Sequence, residues 1–269
     1  MTEPSITVIM GIYNCADTLD EALGSLLHQT YTDWKAIMCD DSSNDNTYSV
    51  AQKYVEKYPD RFVLIKNDKN MGLNYTLNRC LEYADTKYIA RMDGDDISLP
   101  QRFEKEINFL ESNPEYAIVS TQMEYFDEQG VFGKSSQSGV VLSDEIPKGT
   151  PFCHAPCMVL KEAYDAVKGY SVSKKLLRME DYELWIKMYA AGYKGYNLPE
   201  VLYKMRDDRN ATKRRKFIYR INEAYVRYLA VKRLGLNKKY LVYMLRPILI
   251  GILPTGIYTY LHKKRLRRD

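Results

Sequence analysis

The sequence predicts an α/β fold, a mostly parallel sheet with helices on both faces. Three observations carry this. Four short apolar, β-rich runs fall within the first 92 residues. Segments with apolar residues at helical spacing separate them, giving the β-α-β-α-β-α-β order of a sheet built from crossover units. Two of the runs end in clusters of Asp, at the carboxyl edge where open α/β sheets hold ligands.

Ser5 to Ile12 reads as the first strand. Thr18-Leu19-Asp20-Glu21 has the Thr-x-x-Glu form of a capping box, and Ala22, Leu23, Leu26 and Leu27 carry a helix to about His28. Lys35 to Asp40 is a second strand, closed by the polar turn Asp40-Asp41-Ser42-Ser43-Asn44-Asp45. Thr47 to Tyr58 reads as a helix, Phe62 to Lys66 as a strand and Leu73 to Ala84 as a helix. Lys87 to Met92 is the strand that delivers the second acid cluster. Beyond it, Leu99-Pro100 opens a helix to about Glu111, and Ala117 to Gln122 is a further strand. From there to about Gly169 the pattern breaks into shorter segments, as in an acceptor-side insertion. Helical spacing returns over Asp181 to Ala191, with Leu184, Ile186, Met188 and Tyr189 available to pack. Val201 to Met205 is a candidate last strand, and Asn222 to Leu234 a helix. No repeat or low-complexity linker interrupts the chain before about residue 208.

Composition narrows the function. A hydrophobic share of 45% in 269 residues is enough for a sizeable core. The net charge of +4 is too small to imply nucleic-acid binding, but its distribution is uneven. Lys213-Arg214-Arg215-Lys216 and Lys263-Lys264-Arg265-Leu266-Arg267-Arg268 gather positive charge in the last quarter, which suggests a basic face towards an anionic partner. The 24 tyrosines include candidates for sugar and lipid-interface sites. Five cysteines without a disulfide rhythm fit a reducing compartment. Cys153-His154-Ala155-Pro156-Cys157 offers only three ligands at an unusual spacing, a poor zinc site. The N-terminus lacks the basic and apolar regions of a signal peptide, and nothing before residue 239 approaches a transmembrane span. These features together place the chain in the cytoplasm.

The chemistry concentrates in Arg91-Met92-Asp93-Gly94-Asp95-Asp96. Three carboxylates within four residues repel one another and are tolerable only if solvated, hydrogen-bonded or holding a cation. An all-oxygen set suits Mg²⁺ or Mn²⁺ that also binds a phosphate; the alternative is an acidic surface turn. No Gly-x-Gly-x-x-Gly follows the first strand and no P-loop occurs, so dinucleotides and P-loop triphosphates are excluded. One carboxylate accepting from a uracil imide or ribose hydroxyl, and another holding a metal on a diphosphate, suit a nucleoside-diphosphate ligand across the strand ends.

Ile9-Met10-Gly11-Ile12-Tyr13-Asn14, Ser25-Leu26-Leu27-His28-Gln29-Thr30-Tyr31, Cys39-Asp40-Asp41-Ser42-Ser43, Asp93-Gly94-Asp95-Asp96 and Met179-Glu180-Asp181-Tyr182-Glu183-Leu184-Trp185 occur in that order. Over about residues 5 to 206 the chain resembles the family 2 glycosyltransferases, inverting enzymes of the GT-A fold. The resemblance implies a GT-A domain over residues 1–208 and a helical C-terminal extension over 209–269. It implies that Tyr13 stacks on the uracil of a UDP-sugar, with Asn14 beside it. Asp41 contacts the base, Asp40 being the substitute. Asp93 lies near the ribose and metal, Asp95 is the direct metal ligand and Asp96 shares that task. Asp181 is the general base and Glu180 supports it; a plain acidic helix start is the alternative. His154 orients a phosphate or hydroxyl, or is a satisfied structural histidine. Tyr203 and Arg206 match a Tyr-x-x-Arg ending, with Arg206 either near the diphosphate or in a surface ion pair. Many relatives carry Pro where Gly11 stands, so a looser base-pocket loop is expected. The Gln-x-x-Arg-Trp motif of processive synthases is missing, which favours one transfer per acceptor.

The implied activity is sugar transfer to a saccharide or lipid-linked saccharide in surface polysaccharide synthesis, such as capsule or lipopolysaccharide. A nucleotidyltransferase would be expected to have a Lys- or Arg-bearing loop after the first strand; Gly11 to Thr18 has neither. A non-catalytic carbohydrate-binding protein would have no need of Asp93, Asp95 and Asp181 together. Tyr240 to Pro254 is apolar but broken by Arg246, Pro247 and Pro254. It reads as an interfacial segment, basic at its end, on the inner face of the cytoplasmic membrane; a packed tail or a dimer contact is the alternative. Oligomeric state has no sequence signal.

Overall fold

A computed structural model of the protein describes residues 5–207 and 216–252. The basic runs at Lys213 to Arg215 and Lys263 to Arg268, and the last two residues of the apolar stretch ending at Pro254, lie outside the described residues.

The first half alternates as the sequence predicts, in the order β1 (Ile6–Ile12), α1 (Ala16–Leu27), β2 (Trp34–Asp40), α2 (Thr47–Lys57), β3 (Phe62–Lys66), α3 (Leu73–Glu82) and β4 (Tyr88–Arg91). There follow β5 (Ile97–Ser98), α4 (Arg102–Ser112), β6 (Ile118–Asp127), β7 (Gly130–Lys134), β8 (Gly139–Val140), β9 (Met158–Leu160), α5 (Lys161–Ala166), α6 (Glu180–Ala190), β10 (Gly195–Arg206), α7 (Phe217–Arg233) and α8 (Leu245–Ile252). All described strands join one sheet in the order β3-β2-β1-β4-β9-β6-β10-β5, with β7 on β6 and β8 on β10.

β1, β2, β3 and β4 are mutually parallel. β1 is apolar on both faces because helices cover both. Ile6, Val8, Met10 and Ile12 face a core with Leu19, Leu23, Trp34 and Phe103, so α1 and α4 lie on that side. Ile9 faces the other core, with Leu77, Ile89 and Trp185 from the side of α3 and α6. From β4 onward the sheet becomes mixed. β9 runs antiparallel to both β4 and β6, while β6 and β10 pair in parallel.

Three expectations change. Residues 123–169 are not a separate insertion: the three-residue β9 sits in the middle of the sheet and joins its two halves. Such a short strand has no periodicity to read. The last strand begins at Gly195, six residues earlier than its apolar run, because pairing with β6 fixes it rather than its own pattern. The Thr18-x-x-Glu21 capping box does not form. Cys15 is the N-cap, and the Thr18 hydroxyl donates to Cys15 O and Gly94 O. The helix start is capped from another loop, where Thr47 Oγ1 accepts from Cys15 N at 2.8 Å and Asp45 Oδ2 from Ala16 N at 3.1 Å.

Gly195 lies against the buried Phe152 ring, itself edge-on to Trp185 at 5.4 Å. A Cβ here would meet Phe152 Cζ head-on and stand 3.0 Å from Ile118 Cβ. Gly195→Ala is expected to destabilise the fold by about 1–3 kcal/mol through overpacking, read as a lower Tm in thermal denaturation. An unchanged Tm would show that Phe152 gives way without cost.

Candidate active site

The acidic turn follows β4 and is pressed against the start of α1. A Cβ on Gly94 would stand 2.8 Å from Cys15 Sγ and 3.2 Å from Ile12 Cγ2, so only glycine fits this close approach. One oxygen each from Asp93, Asp95 and Asp96 lies within 4.8 Å of the others. Among the described residues no other three His, Cys, Asp or Glu side chains come together in this way.

Each acid has its own counterweight. The buried Arg91 makes a two-pronged ion pair with Asp93. Burial alone would lower the Arg91 pKa, but Asp93, Tyr203, Tyr170 and Asp96 together hold it above its ordinary value. Asp96 is buried. Its Oδ2 accepts from Tyr203 OH at 2.9 Å and its Oδ1 from Arg206 N at 2.8 Å. Burial, then the charges of Asp93 and Asp95, push the Asp96 carboxyl well above the usual range. Asp95 is exposed at the mouth of the site; desolvation by the surrounding protein and then Asp93 raise its pKa. A hard divalent cation fits this all-oxygen set and would relieve the mutual repulsion.

A cleft of ≈ 380 Å³ opens beside the acids, lined by Tyr13, Asn14, Asp93, Asp95 and Arg206 among others. Tyr13 stands at the end of β1, 44% exposed. Asn14 takes a left-handed conformation, φ 49°, and its Oδ1 accepts from Asn44 N at 2.9 Å, tying the β1 loop to the β2 loop. Arg206 is in the ion pair expected as one alternative and also borders the cleft. It lines the cleft, donates Nε to Asp95 O at 3.1 Å and forms an ion pair with Glu21.

A second recess of ≈ 190 Å³ adjoins the first, lined in part by Tyr13, Asp41, Gly72 and Thr76. Asp41 Oδ1 accepts from Asn67 Nδ2 and Met71 N, and Oδ2 from Gly72 N, all at 2.8 Å. Asp40 is fully buried and points elsewhere. Its carboxylate accepts from Ser43 N and Ser43 Oγ and lies 3.8 Å from Lys66 Nζ, so it shapes the turn rather than lining the cleft. Gly11 does not loosen this region. It is paired inside β1, and a Cβ would sit 3.0 Å from Leu73 Cδ1 and 3.2 Å from Thr76 Cγ2. Glycine here lets α3 pack close.

Glu180 and Asp181 open α6. Glu180 Oε1 accepts from Arg178 N at 2.9 Å. Burial, then the Glu180 charge, raise the Asp181 pKa to about 6, while the Arg91 charge pulls it down. His154 Nε2 is 2.8 Å from Tyr170 OH, and its ring lies edge-on to Trp185. Burial and the nearby Arg91 hold its pKa well below the ordinary imidazole value, so it is neutral at pH 7. This is the satisfied-histidine arrangement.

Sequence reasoning missed the role of Arg91 and the use of the Tyr203 hydroxyl. An arginine inside an apolar strand, two residues before an acid, was the available signal for the first. Arg102, fully buried, was also missed. Its Nη2 donates to Arg91 O at 2.9 Å and to Cys157 O at 3.2 Å, pinning the end of β4 to the loop before β9.

Residues 7–167 match the family described as Glycosyl transferase family 2. The putative glycosyltransferase EpsE of Bacillus subtilis is 44% identical over 263 residues, 98% of this chain and 95% of that protein. An Escherichia coli enzyme named UDP-Gal:alpha-D-GlcNAc-diphosphoundecaprenol beta-1,3-galactosyltransferase is 29% identical over 98% of both chains. Among solved structures, S. aureus TarS 1-349 in complex with UDP-GlcNAc superposes with a TM-score of 0.70 at 17% identity, over 91% of this chain and 72% of that one. Against the longer TarS chain the covered share is 43%. The mannosyltransferase PcManGT of Pyrobaculum calidifontis, in complex with GDP-Man and Mn2+, gives a TM-score of 0.63 at 17% identity over 100% of this chain and 82% of its own. The sheet with its acid cluster thus carries a GT-A fold, and the chain belongs to glycosyl transferase family 2.

Proposed function

We propose that the protein transfers a single sugar, with inversion, from a UDP-sugar to a lipid-linked saccharide in surface polysaccharide synthesis. The observation that carries this is the convergence of Asp93, Asp95 and Asp96 at the edge of a cleft that also holds Tyr13 and Arg206. The relatives' names support the choice of donor and acceptor: one of them acts from UDP-Gal on a GlcNAc-diphosphoundecaprenol.

In this reading Tyr13 stacks on the uracil, and Asp41, in the adjoining recess, accepts from the base. Asn14 holds the loop that presents Tyr13. Asp93, fixed by Arg91, meets the ribose. Asp95, with Asp93 and Asp96, would hold Mg²⁺ or Mn²⁺, which would supply Lewis-acid stabilisation of the departing diphosphate. Arg206, beside the acids in the cleft lining, faces the same diphosphate. The acceptor hydroxyl attacks the anomeric carbon opposite the leaving group. The C–O bond to the acceptor forms as the C–O bond to the diphosphate breaks, and Asp181 takes the hydroxyl proton. Glu180 keeps Asp181 basic enough to do so, and His154 supports the wall behind. A lipid-linked acceptor also implies a protein working at the inner face of the cytoplasmic membrane, where nucleotide sugars are made; no described helix is long and apolar enough to cross a bilayer.

Asp95→Ala should abolish metal-dependent binding of UDP while leaving the fold intact, because an exposed acid contributes little packing. Calorimetry with UDP and Mn²⁺ reads this, and unchanged affinity in a folded variant would remove Asp95 from the metal site. Asp181→Asn should reduce turnover by about 10²-fold or more yet spare donor affinity, since proton transfer matters in the transition state. Equal losses in binding and turnover would mark Asp181 as structural.

The base must be ionised to act, so the acidic limb of kcat/KM is expected at about pH 6, where Asp181 titrates. Glu180→Gln removes a negative neighbour that raises this pKa, so the limb should move to lower pH. A limb that stays put, or moves up, would show that another group controls it.

A further inference from the structure

α7 and α8 lie side by side and antiparallel, with Gly251 near the end of α8 against the ring of Phe217 at the start of α7. The inward side of α7 is core. Val226 and Ala230 are fully buried with Leu184 and Trp185, and Asn222 Nδ2 donates to Leu177 O at 3.2 Å. The outward side also carries apolar residues that stand exposed among the described residues. Ile218, Ile221 and Tyr225, spaced by a turn, are 50%, 44% and 38% exposed. On α8, Leu245, Leu249 and Ile252 repeat the pattern at 58%, 63% and 69%. Pro247, which looked like an interruption of the apolar stretch, is buried on the opposite side of α8, so the exposed stripe is continuous. A two-helix apolar face of this size on a protein surface marks an interaction site.

Charge identifies the occupant. Residues 209–269 hold 17 Lys and Arg against two acids, Glu223 and Asp269, whereas the rest of the chain holds 22 against 33. Glu223 is paired with Arg220 and Arg227. The basic sequence Lys213 to Lys216 runs directly into the start of α7, and the segment containing Lys263 to Arg268 follows the end of α8; Phe217 and Gly251 show that these two ends adjoin. A strongly basic surface repels a second copy of itself and attracts an anionic one. Apolar stripes flanked by Lys and Arg are the chemistry of a helix pair lying in the interface of an anionic bilayer.

We propose that the outward face of α7 and α8 docks on an anionic membrane surface. α7 also reaches towards Asp181 from its inward side: Asn222 holds Leu177, 49% exposed and four residues before Asp181. Docking would hold the protein at the bilayer, where a lipid-linked acceptor presents its sugar. This deepens the acceptor reading above and rests on it for its purpose, but docking itself is measured without any acceptor.

The test is co-sedimentation of the full-length protein with vesicles of phosphatidylcholine and phosphatidylglycerol, against phosphatidylcholine alone. The wild type should bind the anionic vesicles, less so at high salt, and the double variant Ile221→Glu, Leu249→Glu should bind about tenfold less or weaker still. Both positions are exposed and outside the cleft, so the variant should keep its Tm and its hydrolysis of UDP-sugar. A single Leu245→Glu variant gives a second reading should the double variant fold poorly. A wild type that stays in the supernatant, or variants that sediment as it does, would overturn the proposal. So would a wild-type dimer in gel filtration that the variants split, since a second copy would then cover the face. Vesicle binding with no transfer to any lipid-linked saccharide would uphold the docking face and reject the acceptor reading.

Discussion

Three carboxylates crowded at the end of one strand are the constraint on which the rest of the site depends. Asp93, Asp95 and Asp96 cannot share so small a space without compensation, because Asp93 raises the cost of ionising Asp95, and both raise that of Asp96. The fold supplies that compensation from three directions. Arg91 comes from the same strand and reaches forward to Asp93. Tyr203 and the Arg206 amide come from β10, on the far side of the sheet, and grip Asp96. Asp95 alone is left facing solvent, where a cation can reach it. The arrangement leaves Asp93 paired with an arginine, Asp96 held by a hydroxyl and an amide, and Asp95 open to solvent.

That compensation explains why the second half of the sheet is built as it is. β10 must arrive beside β5 and the acidic turn to deliver Tyr203 and Arg206, so it pairs with β5 and β6 at the end of the sheet. β9 fills the gap between the parallel half and this distal half, and Arg102 secures the junction by bonding carbonyls from both sides. Its partner Glu106, fully buried, has a pKa raised by burial to about 8 even though Arg102 opposes the shift. A buried pair of this kind is weak evidence for stability, because desolvation of both charges offsets much of their attraction. Its consequence is positional: it holds the strand end from which the acids project.

The same electrostatics connects the donor and acceptor sides. Arg91 sits behind Asp93, yet its charge also acts on His154 and Asp181. Burial, reinforced by this charge, keeps the histidine neutral, and the same charge moderates the rise in the Asp181 pKa caused by burial and Glu180. One buried guanidinium thus pairs with Asp93 and also tempers Asp181. α7 packs on α6, the helix that carries Asp181, and Arg233 and Lys187 balance the buried Glu183 of that helix.

The sequence by itself determined the parallel half of the sheet, to within two residues at nearly every boundary. Strands β1 to β4 are apolar on both faces, and α2 and α3 carry periodic apolar stripes, so local pattern and final position agree. It also located the acids, since Asp93 to Asp96 must follow a strand that ends at a glycine turn. What it could not determine was anything resting on contacts across long separations. The cap on α1 comes from Asp45 and Thr47 rather than from Thr18 and Glu21, because a neighbouring loop reaches the helix start before local side chains do. Asp40 and Asp41 are adjacent and chemically alike, yet one turns inward to Ser43 and Lys66 while the other meets the amides of Met71 and Gly72. β9 is too short for periodicity, and β10 is defined by its partner. Tertiary structure alone decided these, because a side chain's role depends on which donor or charge lies within a few ångströms, and folding brings such partners together from positions up to 185 residues apart.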